Sequence, residues 1–180
     1  MAGTTSTPEG VDLVRSFLNT ADYEDGAEVF DSPSALRAWL VDHDLLSRHD
    51  DVTSADLQLA LELRGALREE LATHLDGGTL APRTRERLDA VYGRLPLRLS
   101  CCHEGLAPCG DGVPGALAKL AATVAAARIA GTWERLKVCP ADDCAWVFYD
   151  ESRNRSRRWC SMEVCGNRAK VRAFRHRADA

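Results

Sequence analysis

Residues 139–165 read CPADDCAWVFYDESRNRSRRWCSMEVC, a C-x4-C-x15-C-x4-C pattern that places Cys139 and Cys144 in one pair and Cys160 and Cys165 in another. Structural zinc is four-coordinate and favours thiolate, so two such pairs can close a tetrahedron at about 2.3 Å per Zn–S bond. Between them Trp146 and Phe148 alternate with Val147 and Tyr149 as strand residues do, and Trp159 precedes the second pair on the returning side. That is a hairpin bringing the two pairs together. One Zn2+ per chain is expected, with a structural role. Four Cys ligands leave no open position, so catalysis at the metal is not expected. A module of some forty residues has a small core, and metal binding must supply much of its folding free energy.

Just downstream, GNRAKVRAFRHR predicts a helix over Gly166–Arg177 with Asn167 as its N-cap. At 100° per residue, Arg168, Arg172 and Arg175 form one stripe, with His176 beside it. Val171, Phe174 and Ala178 form a separate apolar stripe, expected to pack back on the module, and Lys170 and Arg177 share a third side. Upstream, Arg153, Arg155, Arg157 and Arg158 crowd the hairpin loop. Guanidinium forks match phosphate geometry, so these nine side chains are the candidate nucleic-acid contacts. The same charge could also pair with the acidic N-terminal region or dock on an acidic protein partner. Nothing separates DNA from RNA, although Trp146, Phe148 and Trp159 suit a hairpin core better than a stacking platform for single strands.

The charge is unevenly spread. Residues 1–132 carry 12 Lys/Arg against 20 Asp/Glu, a balance of −8, while residues 133–180 carry 11 against 7, a balance of +4. An acidic body with a basic end is the asymmetry expected when that end meets a polyanion.

The acidic part reads as mainly helical. Val11–Asn19 carries Val14, Phe17 and Leu18 at helical spacing, and Ser32-Pro33 supplies a cap and a first helical residue. Thr53 or Ser54 caps the longest stretch, about Ala55–Leu75, which Gly77-Gly78 stops, and Pro82–Arg94 is a further helix. Leu95–Cys102 alternates like a strand, with Leu95, Leu97 and Leu99 on one face, and Gly105–Gly112 reads as a turn-rich loop. From Pro114 to about Trp133 runs an Ala-rich helix, whose small side chains imply close helix approach in the core or at a homodimer seam. It is expected to continue into the zinc module. Its most apolar part, Ala116–Ala130, is interrupted by Lys119 and Arg128 and reads as too short and too charged for a bilayer. The N-terminus MAGTTSTPEG shows no secretory pattern, so a cytoplasmic setting with reduced thiols is expected, and an odd count of seven cysteines agrees.

The run from Cys139 to Arg177 resembles the CGNR zinc-finger family, whose tetrapeptide stands here as Cys165-Gly166-Asn167-Arg168. The VDLVRSFLNT start, the SPSALRAWL helix and the Ala-rich helix are similar to the ABATE domain that precedes this finger. The resemblance implies a bacterial, stress-related transcription regulator whose finger binds DNA, associated with the nucleoid. The expected fold is α+β: a mainly helical domain over residues 1–132 that senses a signal or dimerises, then a treble-clef or zinc-ribbon-like module with a C-terminal basic helix over residues 133–180.

Other constellations are weaker. Cys101, Cys102, His103 and Cys109 suggest a second metal site or a redox pair, but adjacent cysteines do not easily share one tetrahedral ion, and such thiols are often small apolar groups. His43 and His49 lie among Asp42, Asp44, Asp50 and Asp51 in a loop where such residues are usually solvated. Asn19, Thr20 and Trp39 are candidates for a small-ligand pocket, although Trp39 reads first as core. No Walker loop, GxGxxG, GxSxG or HExxH occurs, so no enzyme is expected.

Overall fold

Apolar residues repeating every three to four positions pack all but the last of the helices into one core. The computed structural model describes residues 10–101 and 105–178, with side chains described as far as Arg175. Helix α1 spans Val11–Leu18, α2 Pro33–Asp42, α3 Ser54–Ala72 and α4 Pro82–Tyr92. The start of α2 follows from its cap: the Ser32 hydroxyl accepts from the Ala35 N–H at 3.2 Å, with Pro33 in the first turn. In α3, Thr53 and Asp56 form a reciprocal capping box, which satisfies two otherwise unpaired amides.

Strand β1, Leu97–Ser100, pairs antiparallel with β2, Gly105–Pro108, so the expected turn-rich loop is in part a strand. Its Gly and Pro conceal that from pattern reading, since both are poor strand formers tolerated at an edge. The alternation in β1 does not bury Leu99, which is 82 % exposed beside Leu106 across the ladder.

Helix α5, Gly112–Ile129, packs against α1, α3 and β2, and Val113, Leu117, Leu120 and Val124 are buried. With 18 residues and a mean hydropathy of 1.2 it is long and apolar enough to cross a membrane by composition, contrary to the reading from Ala116–Ala130 alone. Its buried face is covered by this chain's own core.

The Ala-rich helix does not run on into the metal module. It ends at Ile129, Gly131 takes a left-handed conformation (φ 65°), and a 3-10 turn at Trp133–Arg135 leads into strand β3, Leu136–Val138. Strand β4, Val147–Tyr149, pairs antiparallel with β3. A π-helical turn, Met162–Gly166, opens helix α6, Asn167–Ala178. Thus six helices and two small sheets make up the described residues.

Trp133, Leu136, Val147 and Tyr149 belong to the same core cluster as α1, α3 and α5. Glu70 of α3 fastens the connector, accepting from the Trp133 indole at 3.0 Å and from Arg128 at 2.6 Å, while His74 donates to the Leu136 carbonyl at 2.8 Å. The side-chain amide of Asn19 extends the β3–β4 ladder through Val147.

Candidate metal centre

A second, smaller cluster of buried residues lies on the other face of β4. Phe148 points into it, with Cys139, Ala141, Cys144 and Cys165 buried and Trp159 and Cys160 packed at its edge. Period-two alternation divides the work: Val147 and Tyr149 face the helical core, Phe148 the cysteines. Trp146 is half exposed.

The four sulfurs lie within 4.8 Å of one another, with Cys144 to Cys160 at 3.5 Å and Cys160 to Cys165 at 3.6 Å. Tetrahedral Zn–S bonds of about 2.3 Å require sulfurs about 3.8 Å apart. The cluster therefore fits one structural zinc ion held by Cys139, Cys144, Cys160 and Cys165. Local backbone explains the arrangement. After Cys144, Ala145 adopts φ 51° to turn the chain into β4. After Cys160, the Ser161 hydroxyl accepts from the Val164 N–H at 3.3 Å and caps the turn carrying Cys165. Asn167 is therefore not the cap; it lies one turn inside, donating to the Glu163 carbonyl at 2.9 Å. At Gly166 a β-carbon would come within 2.5 Å of Met162 Sδ and 3.3 Å of Trp159 Cδ1, so a larger residue there requires the exposed Met162 side chain to shift.

Burial pushes the Cys144 thiol up to about 11, against the opposing Trp146 N–H, and pushes Cys160 up as well. At Cys165 burial is outweighed by hydrogen bonds from Cys160, Cys144, Cys139 and Arg168, and the thiol falls below its ordinary value. Zinc binds thiolates, so metal and protons compete for this cage.

The hairpin loop is built around a buried ion pair. Lys137 and Asp150 meet at 2.7 Å, with side chains 4 % and 0 % exposed. Lys137 also donates to the carbonyls of Arg155 at 2.5 Å and Arg157 at 3.2 Å. Asp150 accepts from the N–H groups of Ser152 at 2.9 Å and Arg157 at 3.0 Å. The loop backbone is thus wrapped on the pair, and its side chains are turned outward.

The nine candidate cations fall into groups. Arg157 is part of the module: it lies over the Phe148 ring at 5.1 Å and donates to the carbonyls of Trp159 and Cys160. Arg155 donates to the Gly131 carbonyl at 2.9 Å, and Arg158 pairs with Asp76 at 3.0 Å. Arg172 binds Asp142 at 2.8 Å and Asp143 at 3.0 Å, and Arg168 binds Asp143 at 2.9 Å and Glu24 at 3.0 Å. Arg153, Lys170 and Arg175 are exposed, with no ion pair among the described residues. The side chain of Arg177 lies outside the described ones.

The face of α6 turned to the module is therefore the part of the arginine stripe that carries Arg168 and Arg172. The apolar stripe does not pack back: Val171 is 49 % and Phe174 69 % exposed. Sequence periodicity separates the two stripes correctly but cannot say which faces in. Asp142 and Asp143, inside the first cysteine pair, decide it electrostatically. Arg68 joins this site without any sequence signal: from α3 it donates to the Ala145 carbonyl at 2.5 Å and the Leu18 carbonyl at 2.6 Å.

The remaining candidates stand apart from the metal. Cys101 and Cys109 are exposed, and Cys102 and His103 lie outside the described residues. His43 stacks on Trp39 with ring centroids 3.9 Å apart and donates to its carbonyl at 2.8 Å. Among the described residues only the cysteine quartet groups as a metal cage. Asn19, Thr20 and Trp39 do line one cavity, of about 350 Å³, together with Arg15 and Trp146.

A buried four-thiolate cage on a hairpin followed by a helix defines a zinc-finger protein. Residues 135–178 match the family described as CGNR zinc finger, and residues 11–139 match ABATE, described as "Putative stress-induced transcription regulator". The chain belongs to the ABATE family, with a CGNR zinc finger at its C-terminal end. No curated protein matches it. It is a zinc-binding protein of a regulator family.

Proposed function

We propose that the protein is a DNA-binding transcription regulator without enzymatic activity, its finger contacting the duplex and its N-terminal domain sensing a small molecule. The observation that carries this reading is the arginine loop. The buried Lys137–Asp150 pair fixes its backbone while Arg153, Arg155 and Arg158 stay exposed. A loop held in one conformation presents its cations to phosphates at low entropic cost. Lys170 and Arg175 on α6 add exposed charge, and Arg177 adds to the formal charge of the same helix. Sensing draws on the cavity at Trp39 and Asn19, since Asn19 also holds the finger's β4 strand. A ligand there touches the residue that joins the two parts.

The test is binding to random duplex DNA with selection and a salt series. Log K should fall with log salt by about 0.9 for each phosphate contact. Replacing Arg153 and Lys170 with Gln should reduce that slope and weaken all sequences alike. Salt-independent or undetectable duplex binding overturns the reading. A second reading, a zinc-stabilised adaptor for a protein partner, is favoured by the exposed Val171 and Phe174 on α6. It expects Phe174→Ser to abolish a protein interaction while leaving duplex affinity unchanged.

A further inference from the structure

We propose that Arg168 is a positioning residue of the zinc centre rather than a nucleic-acid contact: its guanidinium forms an outer shell to the thiolates and, with Arg68, offsets their charge. Four thiolates around Zn2+ carry a net charge of −2, which a largely buried site tolerates only when compensated nearby. The chain supplies two guanidinium groups, one from α3 and one from α6. Arg68, 8 % exposed on α3, reaches the first knuckle through the Ala145 carbonyl, next to Cys144. Arg168, on the first turn of α6, directs Nη2 to Cys165 Sγ at 3.7 Å, within range of a hydrogen bond to sulfur.

The rest of Arg168 is committed to the same task. Nη1 donates to Asp143 in the first knuckle, and Nη2 also reaches Glu24 in the N-terminal domain. Nε is buried without an acceptor. A buried N–H of that kind is costly beside neutral groups and is offset next to an anionic sulfur cage, the metal-loaded state. One side chain thereby ties a metal ligand, the other knuckle and the N-terminal domain together. Outer-shell donors of this sort fix ligand orientation, and removing them costs about 10–100-fold in metal affinity.

The full-length protein tests this, with zinc loss to a competing chelator and the thiolate-to-metal charge-transfer band of the Co2+-loaded form as readouts. Arg168→Gln should release zinc about 10–100-fold faster and shift the cobalt band. Arg168→Lys, which keeps the charge, should recover part of the retention. Asp143→Asn removes an exposed anchor of Arg168, so it should shift both readouts in the same direction, less strongly, and decides the matter if Arg168→Gln does not fold. An unchanged band and release rate in the folded variants would overturn the proposal. So would an Arg168→Gln protein that holds zinc normally but loses duplex affinity. The zinc readouts do not depend on DNA binding, so this inference and the proposed function can fail separately.

Discussion

Asn19 pairs with Val147 as a neighbouring strand would: its Nδ2 donates to the Val147 carbonyl at 2.9 Å, and its Oδ1 accepts from the Val147 N–H at 2.8 Å. A residue at the end of α1 thereby satisfies the open edge of β4, 128 positions away in the chain. Asn19→Leu is close in size and makes neither bond. It leaves a buried N–H and C=O unpaired and should cost about 1–3 kcal/mol per unsatisfied group. Urea unfolding should show a lower midpoint; an unchanged midpoint would mean water replaces the amide at no cost.

The Lys137–Asp150 pair makes a sharper case. Asp150→Asn keeps the shape but leaves a buried ammonium uncompensated, a loss of about 3–5 kcal/mol. Lys137→Met in the same protein should recover much of that, which a simple packing defect would not allow. The pH dependence follows. Burial raises the Asp150 carboxyl, yet hydrogen bonds from Lys137 and Ser152 outweigh it and hold the group below its usual value. A carboxylate with a depressed folded value stabilises the fold above the unfolded value of about 3.9 and loses that contribution as pH falls through the folded one. Acid unfolding of Asp150→Asn should therefore start from lower stability and depend less on pH below about 4.

Metal removal should act locally. Cys160→Ser, or chelation, should release the ion and melt the second knuckle and α6, while β3, β4 and the helices stay folded because Val147 and Tyr149 lie in the main core. With Cys144 pushed up to about 11, that thiol is protonated in the empty cage at neutral pH, so zinc binding must expel at least its proton. Apparent zinc affinity should weaken as pH falls from 8 to 6, by up to about tenfold per pH unit for each proton displaced. A pH-independent affinity, read by competitive titration, would place thiolates in the empty site.

The two faces of α6 should respond in opposite ways. Phe174→Ser, on the exposed stripe, should change stability by no more than about 0.5 kcal/mol. Replacing Arg172 with Gln removes the contacts to Asp142 and Asp143 and should loosen the helix, seen as faster amide exchange over Asn167–Arg175. Equal protection in both proteins would mean that the arginine face does not anchor α6.

The zinc ligands are legible in the sequence because two cysteine pairs at matched spacing are what a tetrahedral thiolate site demands. The starts of α2 and α3 are legible because capping is local: Ser32 and Thr53 act on amides three residues away. What stays hidden depends on partners distant in the chain. Nothing near Arg168 announces Glu24, and nothing in Arg68 announces Ala145. The start of α6 departs from the sequence expectation for a local reason. Asn is a good cap, but Ser161 has already opened the turn, and the wider π-helical loop carries Cys165 inward before α6 begins.

Trp133, Leu136, Val147 and Tyr149, the flank that the finger shares with the helices, bear on how the protein can be taken apart. A polypeptide ending near Gly131 would have an open trough along α1 and α3 where those side chains had been. The excised remainder would carry the same four side chains into water, a large apolar area for so short a chain. The finger is therefore not an exchangeable cassette. Any host that received it would have to supply the matching trough, and an Asn placed to close the edge of its second strand.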